Sequence, residues 1–433
     1  MDDKGRALRY AEECARMIRI ETVQRPGAEA DFARLRELIT RLFPRVAAAC
    51  QKWELGGSLL LRWPGRDRRG LLLMSHQDVV EAPGDWRYPP FSGTIAQGRL
   101  WGRGALDVKG NLYCILRAVE ELLEEGCTPE RDVYIASSDR EEIGGDERIV
   151  DFLQERGIAP ELLVDEGASV QKCPVPGIEE FFAMVAVAEK GYLDVKCIAR
   201  GRGGHASAPG KGTPLPRLGA FLCEVEEREL FPVRLNPASA EMYRRLAALA
   251  GDPEQAATLA AIAEERTGWR ELLDERQREL LGTTVAFTMA GGSNAANVIP
   301  QEAFVTCNVR IAPGGSVAET MAALGEVAAR HGVELEILRA NEPSPVTDPG
   351  GAAFRAVERA AEAAWPGRRV LPFLLSGGTD TKHFVGLCPN CLRFTALEID
   401  PGQQAAVHGV DENIDVDALP HGVDFFKALI RAQ

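Results

Sequence analysis

Five separated segments of this 433-residue chain carry side chains of the kind that hold divalent cations. In Ser75-His76-Gln77-Asp78, His76 ends the apolar run LLLMSH (71–76) and is a candidate ligand. Asp78, two residues on, falls on the same side, where it could hold the other ring N–H. Taken alone, such a histidine reads equally as a hydrogen-bonded structural residue. In Gly102-Arg103-Gly104-Ala105-Leu106-Asp107-Val108-Lys109-Gly110, Asp107 either caps the helix that follows or bridges two cations. In Asp139-Arg140-Glu141-Glu142-Ile143-Gly144-Gly145, the paired glutamates follow an apolar strand. A solvated charge run is the bland reading, yet the Gly-Gly step permits a close backbone approach that a surface run does not require. Val164-Asp165-Glu166-Gly167 ends a strand in Asp165, a ligand or a turn former. Val407-His408-Gly409-Val410-Asp411-Glu412 supplies a second histidine. Two histidines and four or five carboxylates suit a pair of divalent ions. Imidazole with carboxylate favours zinc, with cobalt or manganese as alternatives.

The elements that must position these groups alternate. Residues 5–22 and 30–48 carry apolar residues at helical spacing, followed by strand-like runs at 58–63 and 71–76. A helix is expected at about 109–126, closed by Gly126, with strands at 133–138 and 162–165. This order predicts an α/β fold with a mostly parallel sheet covered by helices on both faces. Functional side chains in such sheets sit just beyond the carboxyl ends of strands, where His76, the acids from Asp139 to Glu142, and Asp165 all fall. Near residue 190 the texture changes. Strands at 192–200, 283–290, 303–311 and 333–340, with helices from Leu215 and over 316–331, give a ferredoxin-like β-α-β-β-α-β order. The expectation is a discontinuous catalytic domain (1–189 and 342–433). Into it is inserted a second domain (190–341), which carries an extra helical stretch at about 229–282.

Lys+Arg 50 against Asp+Glu 64 gives a net charge of −14, which argues against coating nucleic acid or an anionic membrane. No apolar run approaches the roughly 20 residues that span a bilayer. The first residues read as an amphipathic helix and not as a signal peptide. Ten scattered cysteines in such a chain are expected as reduced thiols, hence a cytoplasmic protein. Three other patterns carry less. Gly201 to Ala206 fits a loose dinucleotide pattern, but Pro209, Pro214 and Pro216 break the helix that must open there. Gly204 to Gly212 has one residue too many for a P-loop and lacks its Ser/Thr. Cys388-Pro389-Asn390-Cys391 is a lone pair without the second that a zinc ribbon needs.

With these residues in order, the chain resembles the di-zinc metallopeptidase family of aminoacylase, carboxypeptidase S, acetylornithine deacetylase and succinyl-diaminopimelate desuccinylase. The run HQDVVEAPGDWRYPPFSGTIAQGRLWGRGALDVKG (76–110) is similar to that family's longest signature. Its Trp86 with Pro89-Pro90-Phe91 is most similar to the carboxypeptidase S and N-acyl-amino-acid hydrolase branch. By matching position, the resemblance implies that His76 and Asp165 hold one metal, Glu142 and His408 the other, and Asp107 bridges them. It implies Glu141 as general base and Asp78 as the residue that orients His76. His205, in Gly204-His205-Ala206-Ser207, matches a histidine that reaches the substrate carbonyl, usually from a partner subunit of a homodimer. Asn297, Arg310 and the Gly-rich loop at Gly378 match residues around the substrate carboxylate. Arg140 stands where the family commonly has Asp. The resemblance also implies a cis Asp107–Val108 bond.

The implied reaction is hydrolysis of an amide or peptide bond next to a free carboxylate, in an N-acyl amino acid or short peptide, with the inserted domain as lid and dimerisation module. A deacylase acting on acetylornithine or succinyl-diaminopimelate is the nearest alternative, and a non-catalytic metal-binding protein the remote one. Neither a nucleic-acid nor a membrane partner is expected.

Overall fold

The computed structural model describes residues 3–145 and 147–433. The chain divides into two compact units. The larger comprises residues up to Val187 with Thr347–Phe373 and Thr379–Gln433; the smaller comprises Ala188–Val346 with Leu374–Gly378.

A nine-stranded sheet runs through the larger unit. Its centre is parallel, in the order Arg131–Ser137, Asp67–Met74, Leu162–Asp165, Cys391–Arg393. The apolar run 71–74 is buried throughout, as a strand covered on both faces must be. Antiparallel strands flank this centre: Gln51–Leu55 and Ser58–Trp63 on one side, Phe181–Glu189 on the other. The parallel strands point their carboxyl ends the same way, so the loops after Met74, Ser137 and Asp165 emerge together.

The helix Lys109–Glu124 buries most of its residues. Gly126 at φ +74° stops it, its N–H bonding to Leu123 O while Cys127 N–H bonds to Leu122 O. Helix Ala418–Arg431 packs against it through Gly422, where a Cβ would stand 2.4 Å from Ala396 O and 2.8 Å from Cys114 Sγ. Two expected elements come out shorter. The first helix is Asp3–Ile18, and the periodic stretch 30–48 is two helices, Glu29–Leu42 and Pro44–Ala49. Pro44 has no N–H to continue the ladder, so it opens a new helix at its first position.

The smaller unit holds a four-stranded antiparallel sheet in the order Thr284–Gly291, Glu302–Ile311, Gly191–Arg200, Val333–Asn341. Helices Pro214–Glu227 and Val317–His331 pack on one face of it. Leu193, Val195, Cys197, Val305, Cys307 and Val309, alternate residues on two strands, form that core with Phe221 and Leu324. The stretch after residue 229 contains helices Pro237–Leu249, Pro253–Ala263 and Glu275–Leu281. Asn236, Asp252 and Asp274 cap them, each accepting from the N–H three residues on. No helix among the described residues is long and apolar enough to cross a membrane.

Candidate metal centre

His76 lies two residues beyond the strand Asp67–Met74 and is 3% exposed. Its Nδ1 lies 2.9 Å from the main-chain O of Asp78, which fixes the ring and leaves Nε2 free to face the centre. Nε2 lies 3.1 Å from Asp107 Oδ1 and 3.2 Å from Glu166 Oε1. On the other side His408 Nε2 lies 3.0 Å from Asp107 Oδ2 and 3.1 Å from Glu142 Oε2. The two oxygens of Asp107 thus face two different histidines, each joined by a further glutamate. Two groups of donor atoms, His76/Asp107/Glu142 and His76/Glu141/Glu166, each lie within 4.8 Å of one another.

Three segments shape this arrangement. The Asp107–Val108 peptide bond is cis and leads into helix Lys109–Glu124. Glu141 and Glu142 sit in a single turn, Glu141–Ile143, whose main-chain N–H groups donate to the Asp78 carboxylate at 3.3 and 3.1 Å. Asp78 therefore orients His76 chiefly through its carbonyl (its Oδ1 is 3.4 Å from Nδ1), while its carboxylate holds the glutamate turn. His408 itself has φ +59°, and the carbonyl of the next residue, Gly409, accepts from Arg103 Nη2 at 2.8 Å.

Asp165, expected as a ligand, is not brought to the centre. Its Oδ1 accepts from Glu166 N–H at 2.9 Å, and its Oδ2 accepts from Thr381 N–H at 3.1 Å and Thr381 Oγ1 at 2.7 Å. Side chains alternate along an extended chain, so Asp165 and Glu166 point opposite ways. Asp165 ties the strand end to the turn Asp380–His383, and the next residue faces His76. Both carboxylates stand in the sequence, and alternation is the signal that separates them.

The electrostatics follow from packing so many acids around two imidazoles. Burial works against a charged His76, but Glu166, Asp107 and Asp78 outweigh it and hold its pKa well above the ordinary value. Hydrogen bonds to Asp107 and Glu142 raise His408 to about 10. Burial raises Glu166 to about 8 and Asp380, beside Ser138, to about 7. Glu141 is pushed well above the usual carboxylate range by burial, and Glu166, Asp380 and Glu142 add to it. Burial disfavours the Asp107 carboxylate, but hydrogen bonds from both histidines reverse this and leave its pKa low. Carboxylates held so close need a compensating positive charge. Glu142 Oε1 is buried with no hydrogen-bond partner, as an oxygen reserved for a cation would be. The donor set fits a metal pair.

The remaining candidates lie in the smaller unit. The two-residue strands Gly204–His205 and Val298–Ile299 pair, and Ala206 N–H donates to Asn297 O at 2.9 Å, which brings His205 and Asn297 side by side. His205 is exposed, its Nδ1 2.7 Å from Ser207 Oγ. Arg310 stands on the sheet, its guanidinium 4.6 Å from the Tyr192 ring centre and its Nε donating to Asn308 Oδ1 at 3.1 Å. Gly378 ends the segment Leu374–Gly378.

The chain is 30% identical over 425 residues to a probable carboxypeptidase S-like 2 of Dictyostelium discoideum, covering 93% of this chain and 80% of that protein. It is 32% identical over 375 residues to the N-fatty-acyl-amino acid synthase/hydrolase PM20D1 of Mus musculus, covering 83% and 73%. Among solved structures, an M20 family metallo-carboxypeptidase from Sulfolobus solfataricus shares the fold with a TM-score of 0.72 at 18% identity, over 100% of this chain and 99% of that one. The model of peptidase family M20/M25/M40 matches residues 72–432, a span that contains every donor described above. The chain is a member of that family, and a metal-dependent hydrolase.

Proposed function

We propose that this chain hydrolyses the amide bond of an N-acyl amino acid or short peptide, next to a free carboxylate. The observation that carries the reading is Asp107, with one oxygen toward His76 and Glu166 and the other toward His408 and Glu142. We assign one ion to His76, Glu166 and Asp107, and a second to Asp107, Glu142 and His408. Glu166 replaces Asp165 in that set. Two imidazoles with carboxylates favour zinc. When bound, such a pair supplies Lewis acidity, polarising the amide carbonyl and making water nucleophilic near neutral pH.

The chain's own residues do the rest. Glu141, beside Glu142 in the same turn, takes a proton from the attacking water and returns it to the leaving amine. Arg310 offers a planar fork for the substrate carboxylate, with Asn297 and the loop at Gly378 beside it. His205 donates to the developing oxyanion of a partner copy's site, so the smaller unit serves as dimerisation module. Its exposure supports that role. Ten free thiols support a cytosolic setting.

A mass-spectrometric panel of N-acyl amino acids, N-acetyl and N-succinyl basic amino acids and dipeptides tests this, with Zn²⁺ or Co²⁺ added and Glu141→Ala as blank. Cleavage of N-acyl amino acids or dipeptides above the blank is expected. Silence with metal shown to be bound refutes it, and turnover confined to the acetylated or succinylated basic amino acids narrows the substrate to that deacylase class.

A further inference from the structure

Arg103 and Glu412 take no part in the donor set, yet they form a fully buried ion pair at 2.7 Å, 1% and 0% exposed. Most polar contacts of this pair lead to the backbone beside Asp107 and His408. Glu412 Oε1 accepts from the N–H groups of Leu106 at 2.8 Å and Asp107 at 3.0 Å; Oε2 accepts from Gly104 N–H at 3.1 Å. Arg103 Nη2 donates to Gly409 O at 2.8 Å, next to His408, and to Glu81 O at 3.3 Å. The guanidinium lies 5.2 Å from the centre of the Trp86 ring. Two more contacts join the same loops: Gly102 N–H to Glu412 O at 2.9 Å, and Arg87 N–H to Asp411 Oδ1 at 2.7 Å.

A buried ion pair is poor evidence of a stability role, because desolvation offsets its attraction. Its retention needs another reason, and the contacts supply one. Glu412 grips the peptide N–H of Asp107, and Arg103 grips the carbonyl after His408. Asp107 is shared by both ions and His408 belongs to the second alone; the two come from segments some 300 positions apart in the chain, so their spacing bears on the second ion. We infer that Arg103 and Glu412 are positioning residues that set the Asp107–His408 spacing, and so the affinity for the ion held by Asp107, Glu142 and His408. The inference rests on the two-ion assignment above.

The test is metal binding by chelator competition on the metal-free protein, with Glu142→Ala, which keeps only the ion on the His76 side, as the reference. Glu412→Gln should weaken the second ion by about 10–100-fold, the range seen when groups behind metal ligands are removed. The same substitution added to Glu142→Ala should barely change the remaining ion. Arg103→Lys keeps the charge but loses the fork that reaches Glu412 and Gly409 together. It should show the same one-sided loss, and it serves as the reading if Glu412→Gln does not fold. Equal weakening of both ions, or none, overturns the inference. Fewer than two ions on the unmodified protein overturns the two-ion assignment and the inference with it, and that result is visible before any variant is made.

Discussion

Exchanging the amide for the carboxylate at two neighbouring positions, Asp165→Asn and Glu166→Gln, should produce opposite phenotypes. Asp165 is 2% exposed and accepts three hydrogen bonds, two of them on Oδ2 from Thr381. An asparagine has one acceptor oxygen. Whichever way the amide turns, at least one main-chain N–H, of Thr381 or of Glu166, faces an NH₂ group. One buried donor left unmade costs about 1–3 kcal/mol, and the surviving bonds lose their charge assistance. Asp165→Asn should therefore lower unfolding free energy by about 2–4 kcal/mol while leaving both metal affinities nearly intact. Glu166→Gln removes a carboxylate that burial and its acidic neighbours already oppose, so the metal-free protein should be no less stable. Its ion on the His76 side should bind at least ~100-fold more weakly, because a neutral amide replaces an anionic donor. Denaturant unfolding in chelator and competitive zinc titration read the two effects separately. Loss of an ion in Asp165→Asn with full binding in Glu166→Gln would refute the argument and restore Asp165 as the ligand.

Glu141→Ala should keep both ions yet lose about 10²–10⁴-fold in turnover, measured as kcat with metal content checked in parallel. Chelation should abolish activity, and restoring Zn²⁺ alone should return it; activity that survives a metal-free assay counts against the centre. Mixing His205→Ala with Glu141→Ala protein under proven subunit exchange should recover part of the lost activity, and no recovery argues against action across copies. Lys190 is buried, which lowers its ammonium pKa from 10.5 to about 8, and its Nζ donates to Glu279 O and Gly282 O. The folded chain holds that proton less tightly than the unfolded one, so stability should rise between pH 8 and 10.5, by up to about 3 kcal/mol. Lys190→Met should flatten that rise in denaturant midpoints, and an unchanged slope would place its cause elsewhere.

Several of these features are legible in residue types and spacing. LLLM at 71–74 declares a doubly covered strand, Gly126 marks a helix end, and the strand–helix order of the smaller unit matches its sheet. The site is legible as five segments because His76, Asp107, Glu142 and Glu166 sit beside strand or helix ends that local pattern can place, while His408 sits in a loop. Asp165 and Glu166 mark where that reading stops. They share one tripeptide, and only the direction of each side chain, set by the tertiary fold, separates a structural carboxylate from a donor. Asp78 divides in the same way, its carbonyl serving His76 and its carboxylate the glutamate turn. Arg103 and Glu412 lie some 300 positions apart, and no local periodicity links them. Pro44 was visible all along, and its power to split a helix outweighs the apolar spacing on either side.

The place of Cys391–Arg393 in the central sheet has a consequence for synthesis. That strand lies between Leu162–Asp165 and Phe181–Glu189, so the sheet keeps a gap until nearly the whole chain has left the ribosome. During that interval two strand edges remain unpaired and open to wrong partners. The smaller unit, contiguous but for Leu374–Gly378, can form while the larger one waits. A nascent chain halted once residue 346 has cleared the exit tunnel, but before Cys391–Arg393 has, should thus show protease resistance over 188–346 and cleavage before it. Resistance across the first 187 residues at that stage would mean that the early strands close without their late neighbour. For a cell, most of the translation time is spent with the future catalytic sheet incomplete, which makes that interval the natural point for chaperone capture.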